Sequence, residues 1–178
     1  MKRSVPVLLL AYSVFGSGCF NNQNQPENQQ SPVPDLKEHL LKVNKAHVYS
    51  EEDQISDFLS RYQYPVQSTT SGLRYYIYHH VNGLKPKGNS IVEVSYKVRL
   101  LDGTLCYSSD STGTLEFQIG KTDLPVGLQE GIQLLAVGEK AIFITPSKLG
   151  YGFTGDGENI PPNAVLVYDV ELLRIIKQ

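Results

Sequence analysis

The chain contains little cysteine and has no excess of positive charge. Its 178 residues include only two cysteines, and its formal net charge at pH 7 is −2. If Cys19 is acylated, Cys106 has no partner within the chain for a structural disulfide. A nucleic-acid binder is expected to carry a basic stripe, which this charge balance does not provide. The sequence therefore gives no indication of DNA or RNA binding.

The sequence also lacks a convincing nucleophile, a metal-ligand cluster and a paired general acid and base. His79 and His80 are adjacent, but neighbours in a strand point to opposite faces, so we interpret them as solvated histidines at a strand end. Gly150 to Gly155 has the glycine spacing of a dinucleotide-binding loop. That fingerprint requires a helix to begin at the last glycine, and residues 156–162 are too rich in Gly and Pro to form one.

The start of the chain predicts a targeting segment and a membrane anchor. Lys2 and Arg3 precede an apolar run, Val5 to Phe15, that is too short to span a bilayer comfortably. Small residues lead from this run to Cys19, which predicts a signal peptide over residues 1–18. The placement of Cys19 resembles a bacterial lipobox, in which the cysteine is lipidated. An ordinary signal peptide followed by a chance cysteine, or an uncleaved anchor, is the alternative.

Two segments separate this start from the main domain. Residues 19–34 consist mostly of Asn, Gln, Pro and Ser, and this composition predicts a flexible tether because it offers little apolar surface to bury. Residues 35–64 carry apolar side chains at helical spacing and predict two helices, over 35–46 and 51–62, with a capping pattern at Ser50 and Asp53. The apolar stripe favours packing or a spacer role, and a homodimer through these helices is the alternative.

Residues 65–178 predict an α+β domain. Ile91 to Leu101 and the segment from Val165 to Leu173 each have one apolar face at a period of two, and the other face of the second segment becomes charged partway along. Shorter strands are predicted at 73–78, 104–107, 115–119 and 140–145, and a short helix at about 127–136. We expect an antiparallel sheet wrapped around this one helix.

The stretch from Ile144 to Leu173 contains a long loop, dense in Gly and Pro, that leads into the last strand. Long loops without secondary structure are uncommon in compact domains and are usually functional or disordered. This loop carries Tyr151, Phe153 and Ile160, which argue against disorder. An apolar set spread over the strands and this loop suits a concave pocket; its members are Tyr96, Phe117, Leu124, Tyr151, Ile160 and Tyr168.

Ordered motifs from Val92 to Ile176 resemble the FKBP-type peptidyl-prolyl isomerases. They are Tyr96, Leu101-Asp102-Gly103-Thr104, Gly127-Leu128-Gln129-Glu130-Gly131, Pro146-Ser147, Tyr151-Gly152, Ile160-Pro161-Pro162-Asn163-Ala164 and Asp169-Val170-Glu171-Leu172-Leu173. The resemblance implies catalysed rotation about X–Pro bonds of proline-containing polypeptides, without a cofactor. An apolar pocket favours the twisted amide because it is less dipolar than the planar one.

Carried over by position, the resemblance implies ten site residues. Four are predicted to be catalytic, with the Tyr151 hydroxyl placed to bond the substrate carbonyl: Tyr96, Phe117, Tyr151 and Tyr168. Six are predicted to bind substrate: Cys106, Tyr107, Leu124, Pro125, Leu128 and Ile160.

Four of the ten depart from the family pattern. Cys106 replaces an aromatic wall, Tyr107 replaces an Asp, and Leu128 replaces the Trp of the pocket floor. Pro125 falls where a backbone amide normally holds the ligand, and proline has no N–H to donate. These departures leave the level of activity open.

A narrower likeness comes from combining the Leu128 floor, the N-terminal helices and the lipoprotein signal. Together they resemble FKBP-type lipoproteins of Bacteroidetes, including those associated with gliding motility.

Two functions are expected as alternatives. One is a membrane-tethered isomerase that faces the periplasm and assists folding of exported proteins, and the other is a binding or assembly module that keeps the pocket but has lost most turnover.

Overall fold

The computed structural model describes residues 36–178, so the predicted signal peptide, the tether and Cys19 lie outside the described residues. The described part begins with a long helix and continues as a sheet domain. In chain order its elements are α1 (Leu36–Tyr62), β1 (Gln67–Ser68), β2 (Arg74–His79), β3 (Ile91–Leu100), β4 (Leu105–Ser108), α2 (Ser109–Thr112), β5 (Leu115–Gln118), α3 (Val126–Leu134), β6 (Lys140–Thr145), a 3₁₀ turn (Ser147–Leu149) and β7 (Leu166–Lys177).

The seven strands of the described residues form one antiparallel sheet, in which six follow the order β1-β2-β6-β7-β3-β4 and β5 pairs with β3 beside β4. β7 pairs with β3 along the whole length of β3. The other edge of β3 is shared, because β5 pairs with Ile91–Val94 and β4 with Lys97–Arg99. The predicted strands and helix begin within one residue of the observed ones, and the α+β architecture is confirmed.

The core lies between α3 and the inner face of the sheet. The predicted alternation of the last strand is confirmed, since Leu166, Tyr168, Val170 and Leu172 are all buried in this core. α3 approaches β6 closely because position 131 is a glycine. A Cβ built on Gly131 would lie 2.4 Å from the Phe143 ring.

Helix α1 packs on the opposite face of the sheet. Ile55 and Phe58 of α1 form a second buried cluster with Ile144, Val165 and Val167. Ile144 and Val167 alternate with inner-face residues of β6 and β7, and Val165 directly precedes β7, so one sheet separates the two clusters. The sheet is thus covered by α3 on one face and by the C-terminal half of α1 on the other.

The prediction of two N-terminal helices was wrong, because Leu36–Tyr62 is one continuous helix. The sequence from 36 to 62 contains neither Gly nor Pro, so nothing in it forces a break. Ser50, expected to cap a second helix, lies inside the helix, where its hydroxyl accepts a hydrogen bond from Gln54 Nε2 at 3.4 Å. Across the described part of the chain, no helix is both long enough and apolar enough to cross a membrane.

His79 and His80 are exposed at the end of β2, as predicted. His80 Nδ1 lies 3.2 Å from Glu139 Oε1, so this histidine also has a protein partner.

Within residues 36–178, no three His, Cys, Asp or Glu side chains are grouped so that they could hold a metal ion. No helix begins at Gly155, where the chain continues as irregular loop.

Candidate active site

An apolar pocket of about 180 Å³ opens between β3, the start of α3 and the loop that precedes β7. The last strand closes its base, where Tyr168 is 2% exposed. The lining residues are Tyr96, Val98, Tyr107, Leu115, Leu124, Pro125, Leu128, Tyr151 and Tyr168. Small-molecule and peptide sites are typically concave and mostly apolar, with a few placed polar groups, and this pocket has that character.

The structure brings seven of the ten predicted site residues to this lining: Tyr96, Tyr107, Leu124, Pro125, Leu128, Tyr151 and Tyr168. The other three do not line the pocket. Phe117 and Ile160 are buried in the core, and Cys106 is partly buried against it, where burial raises the pKa of its thiol. We interpret these three as support for the wall, because they pack in the same core cluster as Tyr168.

Sequence reasoning missed two lining residues, Val98 and Leu115. Val98 lies two residues after Tyr96 on the same face of β3, so strand alternation alone could have placed it there. Leu115 pairs with Val94 at the start of β5. The position of Leu115 depends on how β4 and β5 share one edge of β3, and no local sequence pattern predicts that arrangement.

Tyr96 is held by α2, the short helix that the sequence analysis did not predict. The Tyr96 backbone N–H donates to Ser109 Oγ at 3.1 Å, and the Tyr96 hydroxyl is hydrogen-bonded to Thr112 Oγ1 at 3.1 Å. Ser108 caps α2 by accepting a hydrogen bond from the Asp110 backbone N–H. The Ser- and Thr-rich segment 108–112 therefore fixes one wall of the pocket.

Tyr151 projects from a tight turn flanked by two glycines. The backbone N–H groups of Gly150 and Gly152 both donate to the Ser147 carbonyl oxygen, each at 2.9 Å. Gly152 has a φ of 61°, a conformation that glycine adopts at low cost. Burial raises the pKa of Tyr151, and the nearby Asp156 carboxylate adds to this effect. The Tyr151 hydroxyl is therefore protonated at neutral pH and available to donate a hydrogen bond.

The loop after Tyr151 is latched to β4 by an Asp–Tyr contact. The Tyr107 hydroxyl donates to Asp156 Oδ2, while Asp156 Oδ1 accepts the backbone N–H groups of Glu158 at 2.9 Å and Ile160 at 2.8 Å. The family pattern expects an Asp in place of Tyr107. Here the carboxylate is contributed by the loop instead, and the tyrosine reaches it from the strand.

The latch perturbs the titration of both partners. The hydrogen bond to Asp156 is the largest cause that raises the pKa of Tyr107 to about 12, and burial adds to it. Burial of Asp156 opposes its ionisation, but the hydrogen bonds from Tyr107 and from the loop amides outweigh that effect and lower the pKa of Asp156. The latch therefore joins a neutral hydroxyl to a charged carboxylate at neutral pH.

Pro125 and Leu128 form the side of the pocket where α3 begins. The Pro125 carbonyl accepts the N–H groups of Leu128 at 3.1 Å and Gln129 at 3.2 Å, so this proline starts the helix. Gln129 Nε2 in turn donates to the Leu124 carbonyl at 2.7 Å, which fixes the approach to the helix. Leu128 is 2% exposed and packs in the core as an aliphatic floor.

The pocket lining lies in a part of the chain that is similar to a known protein family. Residues 83–173, about half of the chain, match the family model described as FKBP-type peptidyl-prolyl cis-trans isomerase. The chain is 49% identical over 113 residues to the FKBP-type peptidyl-prolyl cis-trans isomerase FkpA of Aeromonas hydrophila, an overlap of 63% of this chain and 41% of that protein.

Two solved structures are similar to most of the described fold. FkpA from Escherichia coli matches with a TM-score of 0.64 and 30% identity, over 78% of this chain and 64% of that one. A peptidyl-prolyl cis-trans isomerase from Pseudomonas syringae pv. tomato matches with a TM-score of 0.64 and 27% identity, over 75% of this chain and 96% of that one. The chain spans between about two fifths and two thirds of the length of four curated bacterial relatives that it matches.

Proposed function

Because this chain belongs to the family of FKBP-type peptidyl-prolyl cis-trans isomerases, we propose that its pocket accelerates cis–trans rotation about X–Pro bonds of polypeptides. The observation that carries the proposal is the convergence of Tyr96, Leu128, Tyr151 and Tyr168 on one apolar pocket of about 180 Å³. The seven predicted residues in the lining come from five separated parts of the chain. Neither a cofactor nor a covalent intermediate is required.

The chemistry follows from the electronic structure of the amide. Rotation breaks amide resonance against a barrier of about 18–20 kcal/mol, and the twisted amide is less dipolar than either planar isomer. Apolar walls therefore favour the transition state over the ground state, and only such differential binding raises the turnover rate. Tyr151 lines this pocket, and we expect its protonated hydroxyl to hold the carbonyl that precedes the proline while the bond turns.

An isomerisation assay on short X–Pro peptides tests this function. We expect the full chain to accelerate cis–trans exchange, measured by protease coupling or by NMR exchange spectroscopy, in proportion to protein concentration. Peptide binding without acceleration would instead support the alternative, a binding or assembly module of the cell envelope. A protein that neither binds nor accelerates these peptides contradicts both functions.

Replacing Tyr151 with phenylalanine is expected to lower kcat/KM by roughly two- to tenfold, because one hydrogen bond of about 0.5–1.5 kcal/mol is lost while the ring remains. Far-UV circular dichroism should not change. Tyr75→Phe is the matched control, since the Tyr75 hydroxyl donates to Gln67 Oε1 at 2.7 Å on an exposed strand pair. Equal activities of both variants and the wild type would remove the Tyr151 hydroxyl from the mechanism.

We further propose that the protein is held at a membrane by a lipid on Cys19 and faces the periplasm, where it serves exported polypeptides. The basic start, the short apolar run and the small residues before Cys19 support this anchor. The narrower likeness to gliding-associated lipoproteins of Bacteroidetes is part of the same proposal. It rests on the anchor, the helical segment and the Leu128 floor taken together.

In a bacterial host, the wild type is expected in the membrane fraction, with a mass equal to the chain from Cys19 onward plus acyl groups. Cys19→Ala should shift the protein to the soluble fraction, because acylation of the cysteine supplies the membrane affinity. Cys106→Ala is the matched control and should stay with the membrane. Recovery of soluble wild type with an unmodified Cys19 would contradict the anchor.

The N-terminal half of α1 supports a homodimer as a further part of the proposal. Four large apolar side chains there are exposed, with exposed fractions between 51% and 68%: Leu36, Leu40, Leu41 and Val43. Exposed apolar clusters of this kind commonly mark interaction surfaces. Sedimentation equilibrium of the wild type and of Leu40→Glu would show whether this surface joins two copies.

A further inference from the structure

Helix α1 reaches the loop of the proposed active site through one buried carboxylate. Glu51 is only 7% exposed, although it lies on a helix whose neighbouring residues 52–54 are exposed. Its Oε1 accepts the backbone N–H of Ser147 at 2.9 Å, across a sequence separation of 96 residues. Ser147 is itself 5% exposed, so both ends of this hydrogen bond are shielded from water.

The N–H of Ser147 is one that the 3₁₀ turn cannot satisfy internally. The first N–H groups of any helical turn lack a carbonyl partner within the turn. Here the Pro146 carbonyl accepts the N–H groups of Leu149 at 2.9 Å and Gly150 at 3.1 Å, and Glu51 supplies the partner for Ser147. A buried donor left without a partner is costly, so the carboxylate stabilises the turn in this position.

Ser147 holds both glycines that flank Tyr151. Its carbonyl oxygen accepts the N–H groups of Gly150 and Gly152, each at 2.9 Å, and the Gly152 carbonyl accepts the N–H of Asn163 at 2.8 Å. The hydrogen bonds therefore run without a gap from Glu51 to Ser147 and on to both sides of Tyr151. Movement of Ser147 would carry the Tyr151 turn with it.

We infer that Glu51 is a positioning residue for the proposed isomerase reaction, on which this role depends. By accepting a hydrogen bond from Ser147, Glu51 connects helix α1 to the turn that orients the Tyr151 side chain in the pocket. Glu51 does not line the pocket of the proposed active site, and its effect passes through the backbone of residues 147–152. The helix is then a component of the active site as well as a spacer.

The neighbouring residue on α1 offers a matched control. Glu52 also ties the helix to the domain, because its carboxylate bonds Arg74 Nη2 at 2.5 and 2.6 Å. This ion pair joins α1 to β2 and does not involve the Tyr151 turn. Glu52→Ala therefore removes a helix–domain contact of similar kind while leaving the bond to Ser147 in place.

The test compares Glu51→Ala, Glu51→Gln and Glu52→Ala in the full chain. We expect Glu51→Ala to lower kcat/KM by roughly two- to tenfold, no more than Tyr151→Phe does, and to speed hydrogen exchange of the Gly150 and Gly152 amides, while exchange in β7 is unchanged. Glu51→Gln should restore both readouts to near wild type, because its amide oxygen accepts the same hydrogen bond. Glu52→Ala should leave both readouts unchanged.

A double-mutant cycle with Tyr151→Phe decides whether the effect passes through the tyrosine. If Glu51 acts by aiming the Tyr151 hydroxyl, Glu51→Ala should cost much less activity in the Tyr151→Phe background than in the wild type. Full additivity would overturn the positioning role. So would a Glu51→Gln variant that behaves like Glu51→Ala, or a Glu52→Ala variant that reproduces the loss.

Hydrogen exchange separates failure of this role from failure of the proposed function. An inactive wild type would reject the isomerase function, and with it the role of Glu51 in that reaction, whatever the exchange rates show. An active wild type with unchanged exchange at Gly150 and Gly152 in Glu51→Ala would overturn the role of Glu51 alone. Faster exchange with unchanged kcat/KM would also overturn it, because the turn would then move without consequence for turnover.

Discussion

Gly155→Ala is expected to lower isomerase activity by roughly thirtyfold or more, because the loop beyond Tyr151 could no longer close. Gly155 has a φ of 67°, and a Cβ at this position would lie 2.2 Å from the Ile160 carbonyl oxygen and 2.9 Å from the Pro161 carbonyl carbon. The left-handed backbone costs a non-glycine residue about 1–2 kcal/mol, and overpacking adds about 1–3 kcal/mol. Both obstacles are backbone atoms, which cannot move aside as a flexible side chain does.

The measurement is kcat/KM on an X–Pro peptide, taken beside thermal unfolding so that a local effect is separated from a global one. Gly157→Ala is the matched control, since Gly157 has a φ of 80° but its added Cβ would meet no described atom within 4 Å. We expect the control to show only the cost of the left-handed backbone. If both variants lose the same activity, close approach of the 155 and 160 backbones is not what the loop requires.

The sequence predicted the sheet well because its signals are local. The period-two pattern of β3 and β7 depends on nothing beyond neighbouring residues, and both strands face the core as their alternation requires. The loop glycines could also be interpreted locally, since residues 156–162 could not form the helix that phosphate binding needs. The site residues were predicted by matching ordered family motifs along the chain. Seven of the ten predicted residues line the pocket.

The features that the sequence did not predict depend on contacts between distant residues. The Glu51–Ser147 bond spans 96 residues and the Tyr107–Asp156 bond spans 49, and neither pair has a local signature. The helix break expected near Ser50 failed for a related reason. A serine followed by an acidic residue resembles a cap, but packing of Ile55 and Phe58 on the sheet stabilises a continuous helix instead.

The Tyr107 substitution illustrates how a departure from the family pattern can be compensated. Taken alone, replacement of an Asp by Tyr removes a carboxylate from the pocket wall. In this fold the loop supplies a carboxylate, Asp156, which accepts a hydrogen bond from the tyrosine hydroxyl. The pair should therefore be considered as one unit, whose function is to hold the loop against β4.

Asp156→Ala is the second change expected to have a large effect, because it leaves three donors without their partner. The Tyr107 hydroxyl and the N–H groups of Glu158 and Ile160 all bond this carboxylate. Hydrogen bonds to charged groups contribute about 1.5–3 kcal/mol each when shielded and less where water replaces them, so we expect kcat/KM to fall by at least about tenfold. Tyr107→Phe removes one of the three contacts and should cost much less.

Asp102→Ala is the control for loss of a nearby carboxylate, since Asp102 accepts the Thr104 backbone N–H at 2.8 Å within its own turn. It should leave kcat/KM close to the wild-type value. Equal losses in Asp102→Ala and Asp156→Ala would mean that negative charge near the pocket, and not the latch, supports activity. A loss in Tyr107→Phe as large as in Asp156→Ala would place the whole effect on the hydroxyl contact.

The pH dependence of the wild type provides an independent check on the latch. The folded pKa of Asp156 is lowered, so its contribution to stability is complete above the ordinary value of about 4 and is lost as pH falls through the folded pKa. The folded pKa of Tyr107 is raised to about 12, so its contribution is complete below the ordinary value of about 10 and is lost as pH rises through 12. Hydrogen exchange at Glu158 and Ile160, corrected for intrinsic rates, should therefore show constant protection from about pH 5 to 9. In Asp156→Ala this protection should be low across the whole range, and a wild-type protection that changes near neutral pH would show that another group controls the loop.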